Sequence, residues 1–231
     1  MVELNTLLLP LGVIPAIFIL YFVIRNYEGR YQEKSMVLLF IAGIIAGMVI
    51  YTMEGMIFYQ IIGGAIYINI LLFFSLLFSM VEQIVKFASI NMKRFNDAPP
   101  LYGASFSLGF STVLAPLLFG ATYTINTKNA FLLFIPFSMM FFNASSGIFL
   151  GTGIKRKMAL KFFLFTLFSG ALIWMSVILS LFYSAGGTEC IIFSLFSLLF
   201  SLLLFYYAMR YTLVYGMMER RELRKMEKKT A

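Results

Sequence analysis

The sequence predicts an all-α, polytopic integral membrane protein, a bundle of seven transmembrane helices with its amino terminus outside and its carboxyl terminus in the cytoplasm. Three observations lead there. Of 231 residues, 61% are hydrophobic and 12% charged, with a mean hydropathy of +0.91, which is more apolar surface than a soluble domain of this length can hide. The apolar residues fall in blocks of about 20, enough for a helix rising about 1.5 Å per residue to cross about 30 Å of hydrocarbon. Basic residues gather in alternate connections, the bias that orients multi-spanning chains. Helix is the required form, because each backbone polar group in lipid must be satisfied within its own segment and no barrel-like alternation is visible.

The first span is placed at 6–25. It has no basic leading region and no small-residue cleavage site, since Glu3 and Asn5 precede Leu7 to Ile24, and it therefore reads as a retained helix rather than a signal peptide. Arg25, Arg30 and Lys34 follow it, and the second span covers 36–58, with Glu54 near its outer end, where the side chain is expected to snorkel. The third, 65–92, carries Glu82, Gln83 and Lys86 and ends at Lys93 and Arg94. The fourth, 101–121, contains Ser111 and Thr112 and is followed by a loop whose one basic residue is Lys128. The fifth, 129–153, contains Asn143 and leads into Lys155, Arg156 and Lys157. The sixth, 159–183, starts beside Lys161 and carries Ser169; the seventh, 188–215, has Cys190 near its outer end and no lysine, which excludes a retinal Schiff base.

These spans form one membrane domain, 1–216, with a basic cytoplasmic tail, 217–231, running from Arg220 to Lys229. The net charge of +8 follows from topology, with anionic lipid headgroups as a secondary partner and no role for nucleic acid. No repeat and no inverted pair of broken helices appears. A single cysteine excludes an internal disulfide framework, and the absence of histidine removes the usual zinc ligands, so no metal and no cofactor are expected.

Ionisable groups inside a bilayer cost roughly a few kcal/mol each and normally face the bundle interior. Glu82 and Lys86 lie one helical turn apart with the acid first, the favourable order for an intrahelical pair. Lys86 either neutralises Glu82 while reaching toward the cytoplasmic headgroups, or belongs to something deeper. Counting inward from the basic ends, Glu82 and Gln83 lie about 15 Å, and Asn143 about 18 Å, from the cytoplasmic side. Ser111, Thr112 and Ser169 fall near the same plane, so the seven side chains Glu82, Gln83, Lys86, Ser111, Thr112, Asn143 and Ser169 form the predicted polar cluster, or a small cavity opening toward the cytoplasm. Gly43 with Gly47, Gly103 with Ser107 and Gly147 with Gly151 sit four apart, and with Gly109 they are expected to let helices approach closely inside the bundle rather than to form a dimer face.

The segment Glu82-Gln83-Ile84-Val85-Lys86-Phe87, then Asp97, then Tyr102-Gly103-Ala104 and Leu108-Gly109-Phe110, resembles the PrsW family of intramembrane proteases. That family has a Glu-Glu-x-x-Lys helix, an Asp and a Tyr-Gly-Ala helix that runs into a second glutamate, followed by a helix bearing a histidine. Here Gln83 stands for one of the paired glutamates, Leu114 falls near the second glutamate and Asn143 takes the histidine position. The stretch also resembles the Aph scaffold subunit of γ-secretase, a seven-span, N-out and C-in relative. It shares the acid-amide pair before a basic residue and Phe87-Ala88, the Tyr102 to Gly109 spacing, and Asn143 four before Gly147 ahead of a basic turn. Ser169 lies near a second histidine position of that subunit, and the resemblance covers about residues 78–175.

The resemblance implies a catalytically degenerate member, a pseudoprotease scaffold in the cell membrane that binds another membrane protein. Glu82 and Asn143 are the candidate catalytic residues of the alternative, an active protease with Glu82 as lone base and Asn143 as oxyanion donor. Lys86 beside Glu82 would blunt it as a base. A transporter or channel built on the polar plane is the third reading.

Overall fold

The apolar blocks take the one form that satisfies their backbones internally. The computed structural model describes residues 4–62, 67–121, 130–183 and 187–218. Its helices are α1 (Leu4–Ile24), α2 (Glu33–Ile62), α3 (Ile68–Ile90), α4 (Pro99–Ser111), α5 (Leu114–Ala121), α6 (Phe134–Lys155), α7 (Ala159–Phe182), α8 (Thr188–Tyr207) and α9 (Val214–Met217), and no strand occurs among the described residues. Six stretches are long and apolar enough to cross a membrane: Glu33–Phe58, Ile68–Ile90, Pro99–Leu118, Phe131–Lys155, Ala159–Phe182 and Thr188–Met217. They correspond to the second to seventh expected spans, and α1 adds a shorter described apolar stretch, Gly12–Ile24. The basic tail from Arg220 onward and Lys128 lie outside the described residues.

α4 is the axis of the bundle, with every side chain from Pro99 to Ser111 buried. It packs chiefly on α6 and α2, with α1 and α3 completing its surround, while α7 joins α3 and α8 joins α6 and α7. Small side chains make this possible. A Cβ placed on Gly103 or Gly147 would collide with the carbonyl of the other, and one on Gly151 would strike the backbone of Pro99 and Pro100. On the opposite side, Gly43 and Gly47 of α2 abut the backbone of Phe106 and Phe110, and Gly109 abuts Phe40. These are backbone-to-backbone contacts inside one chain, the form that close helix packing takes where apolar surface alone gives no reason to associate. Outward, α1, α2 and α8 present Phe18, Ile45 and Leu203 among many exposed apolar side chains.

The fourth expected span is not one helix. It breaks at Thr112–Val113, four residues before Pro116 turns off the helical hydrogen bond to the Thr112 carbonyl by having no N–H to give. The backbone N–H of Thr112 closes a tighter turn onto Gly109 at 3.2 Å, and Gly12 of α1 fits against the Thr112 carbonyl. At the other kind of end, α6 terminates with Lys157 in the left-handed region, φ 59°, while the Met158 N–H reaches back to Gly153 at 2.8 Å. With the Lys157 N–H on the Ile154 carbonyl at 3.2 Å, this satisfies carbonyls at the end of the helix. The last long helix passes through a π-helical turn, Ala208–Leu213, before α9.

Polar contacts tie several connections together at one end. The Tyr102 hydroxyl accepts from the Gln32 backbone N–H at 2.9 Å and donates to Asp97 at 2.8 Å, and Lys155 donates to the Asp97 carbonyl at 3.1 Å. Arg156 donates to the carbonyls of Tyr215 and Met218, and Arg30 to that of Met217. The start of α2, the start of α4, the end of α6 and the end of α9 therefore share a face of the molecule.

Candidate functional site

Each turn of α3 that faces α6 and α7 carries a polar group, Ser79, Glu82 and Lys86, because residues three and four apart stack on one side of a helix. The Lys86 ammonium sits 2.7 Å from Glu82 Oε2 and also donates to Asn143 Oδ1 of α6. It lies over the rings of Phe110 and Phe142, 5.1 and 5.6 Å from their centroids, so its remaining side meets the negative faces of two aromatic systems. The second oxygen of Glu82 accepts from the Trp174 indole N–H of α7 at 3.0 Å. The Asn143 amide N–H donates to the Tyr51 hydroxyl of α2 at 3.2 Å. Four helices are thereby linked in one chain of contacts, Tyr51, Asn143, Lys86, Glu82 and Trp174, and Glu82, Lys86 and Asn143 have no exposed surface at all.

This corrects one expectation for Lys86, which does not climb toward the headgroups but turns inward. The predicted cluster also divides. Glu82, Lys86 and Asn143 meet directly, whereas Ser111, Thr112 and Ser169 spend their hydroxyls on carbonyls of their own helices, those of Leu108, Gly109 and Phe165. Those three do not join the network, because a short hydroxyl finds its own backbone first. Gln83 is buried yet makes no hydrogen bond among the described residues, since it lies about 100° around the helix from Glu82. Ser107, the small residue paired with Gly103, is buried with its hydroxyl likewise unbonded.

A second correction concerns Glu54. It is 5% exposed and both its oxygens lack a hydrogen-bond partner among the described residues, so it is interior rather than snorkelling. It borders a cavity of about 80 Å³ between α2, α3, α5, α6 and α7, whose other walls include Tyr51, Phe58, Phe78, Leu114, Ile135 and Trp174. Tyr51 and Trp174, with ring centroids 6.2 Å apart, belong both to this wall and to the hydrogen-bonded chain. The sequence analysis singled out neither residue: Tyr51 is one of 13 tyrosines, whereas Trp174 is the one tryptophan. The signal for Trp174 was its position inside a span, because tryptophan in membrane helices concentrates at the interfaces.

In chemical terms these five side chains bond chiefly to one another. Glu82 already accepts from an ammonium and an indole, and the Asn143 amide accepts from Lys86 and donates to Tyr51, so both groups are engaged with one another while each keeps some remaining hydrogen-bonding capacity. Among the described residues no three His, Cys, Asp or Glu side chains converge. The chain matches no protein-family model, no curated protein and no solved structure.

Proposed function

We propose that this chain is a non-catalytic membrane scaffold, a seven-span, N-out and C-in protein of the PrsW/Aph type whose central polar groups order the helices and whose outer surface binds another membrane protein. The observation that carries this reading is Lys86 holding Glu82 and Asn143 together, since those are the two side chains that a protease of this type would need unencumbered. Supporting the topology, the basic connections after α1 and α6 bond to the carbonyls at the end of α9, which places them on one face with the approach to the basic tail. The exposed apolar surface of α1, α2 and α8 is suited to lipid and to a partner's helix.

Crosslinking in native membranes followed by co-purification tests the scaffold, with a stoichiometric membrane-protein partner expected. In parallel, the purified chain is offered membrane-spanning peptides. Cleavage that disappears on Glu82→Ala substitution would replace the scaffold by a protease, and solute flux in proteoliposomes without a partner would replace it by a transporter.

A further inference from the structure

We infer that the cavity beside Glu54 is a binding site for a small organic cation, an ammonium head with short alkyl arms. The inference rests on the cavity alone and extends beyond the scaffold reading. Glu54 is buried and, among the described residues, neither oxygen has a hydrogen-bond partner. No protonation state repairs this from within: the carboxylate lacks donors, and the carboxylic acid would still need an acceptor for its proton and a donor for its carbonyl. The Glu82–Lys86 pair nearby is already matched in charge, so it has no cation to lend.

The rest of the wall fits the same ligand class. Four aromatic side chains, Tyr51, Phe58, Phe78 and Trp174, line the cavity with Glu54, and rings around a desolvated cation add attraction through their negative faces. Two of these rings are held in place from behind, Tyr51 by Asn143 and Trp174 through its N–H to Glu82. Phe78 packs edge-on against Trp174 with centroids 5.2 Å apart. The cage is therefore preorganised by the polar chain, which lowers the cost of binding. At about 80 Å³ the space is roughly half that of an apolar cavity that accepts benzene, which limits the buried part of the ligand to a compact head. Gly55 and Leu117 on the wall are only half-buried, so the cavity reaches the surface between α2 and α5.

Trp174 is the one tryptophan of the chain, and its emission reports on this cavity without labelling. The full-length protein in lipid nanodiscs is titrated with choline and, separately, with its uncharged carbon isostere 3,3-dimethylbutan-1-ol, following emission and the thermal midpoint. Choline is expected to give a saturable response, with the isostere about tenfold weaker or worse, the ratio that about 1.4 kcal/mol of charge recognition produces. Glu54→Gln should remove the preference for choline and leave the response to the isostere. Equal affinity for the two compounds in the unsubstituted protein would reduce the cavity to an apolar void. Absence of any saturable response to choline in either measurement overturns the site, and neither outcome depends on the variant folding.

Discussion

At the scale of single residues, Lys86 decides what the interior can be. Its stem and ammonium are fully buried, and a buried charge stays only where partners replace the lost water. Glu82, Asn143 and two aromatic faces are those partners. The distinction between groups inside and beside this network has measurable consequences. Trp174→Phe keeps the ring but removes the donor to Glu82 Oε1, leaving a buried acceptor short of a bond, and should lower stability by about 1–3 kcal/mol. Thr112→Val and Ser169→Ala, whose hydroxyls serve only their own helices, should each change it by less than about 0.5 kcal/mol. Unfolding in a single detergent compares all three. The Glu82 and Lys86 pairing was legible from spacing alone, and Asn143 from depth. Tyr51 was not, because its hydroxyl looks like that of any other membrane tyrosine until a partner from a distant helix is placed beside it, and the mid-span position of the one tryptophan marks Trp174 without naming its partner.

At the scale of elements, backbone contact replaces side-chain interdigitation along α4. Gly147→Ala should separate α4 from α6 or prevent folding, since the added carbon would meet the Gly103 carbonyl, which cannot move without its helix. Gly55→Ala is the matched control: nothing lies within 4 Å of its Cβ position, and the substitution should be neutral or stabilising by up to about 1 kcal/mol. Yield of monodisperse protein and thermal midpoint distinguish the two. The small-residue pairs were readable as places of close approach because their spacing of four is local information. Which helix each pair meets is long-range information, and the sequence carries no mark of it. The break between α4 and α5 was missed for a related reason: Pro116 is visible, but membrane helices often absorb a proline with neighbours re-satisfying the carbonyl. Here Thr112 is left to a tight turn and to Gly12.

At the scale of the whole molecule, charge and hydrophobicity act on different axes. The apolar exterior suits immersion in lipid, and the basic connections that meet at one end are what the proposed orientation rests on. The seven-span reading predicts that reporters fused at the two ends report opposite sides of the membrane, amino terminus outside and carboxyl terminus inside. Reporters on the same side would require an even number of crossings and would leave α1 as a helix that does not span. The all-helical class and the six long apolar helices were legible because they depend on composition and block length. Function was not, because it depends on which polar groups are consumed by one another. That is decided by hydrogen bonds between residues as far apart as Tyr51 and Asn143 or Glu82 and Trp174.

The most direct test of an interior that orders the bundle rather than catalyses is a double-mutant cycle on the pair at its centre, with unfolding measured for the unsubstituted protein, Lys86→Met, Glu82→Gln and the two combined. Each single substitution strands a buried partner and should cost about 3–5 kcal/mol. The combined one should cost less than their sum by about 1–3 kcal/mol, the mark of direct coupling. Single variants as stable as the unsubstituted protein, or strictly additive losses, would contradict the account.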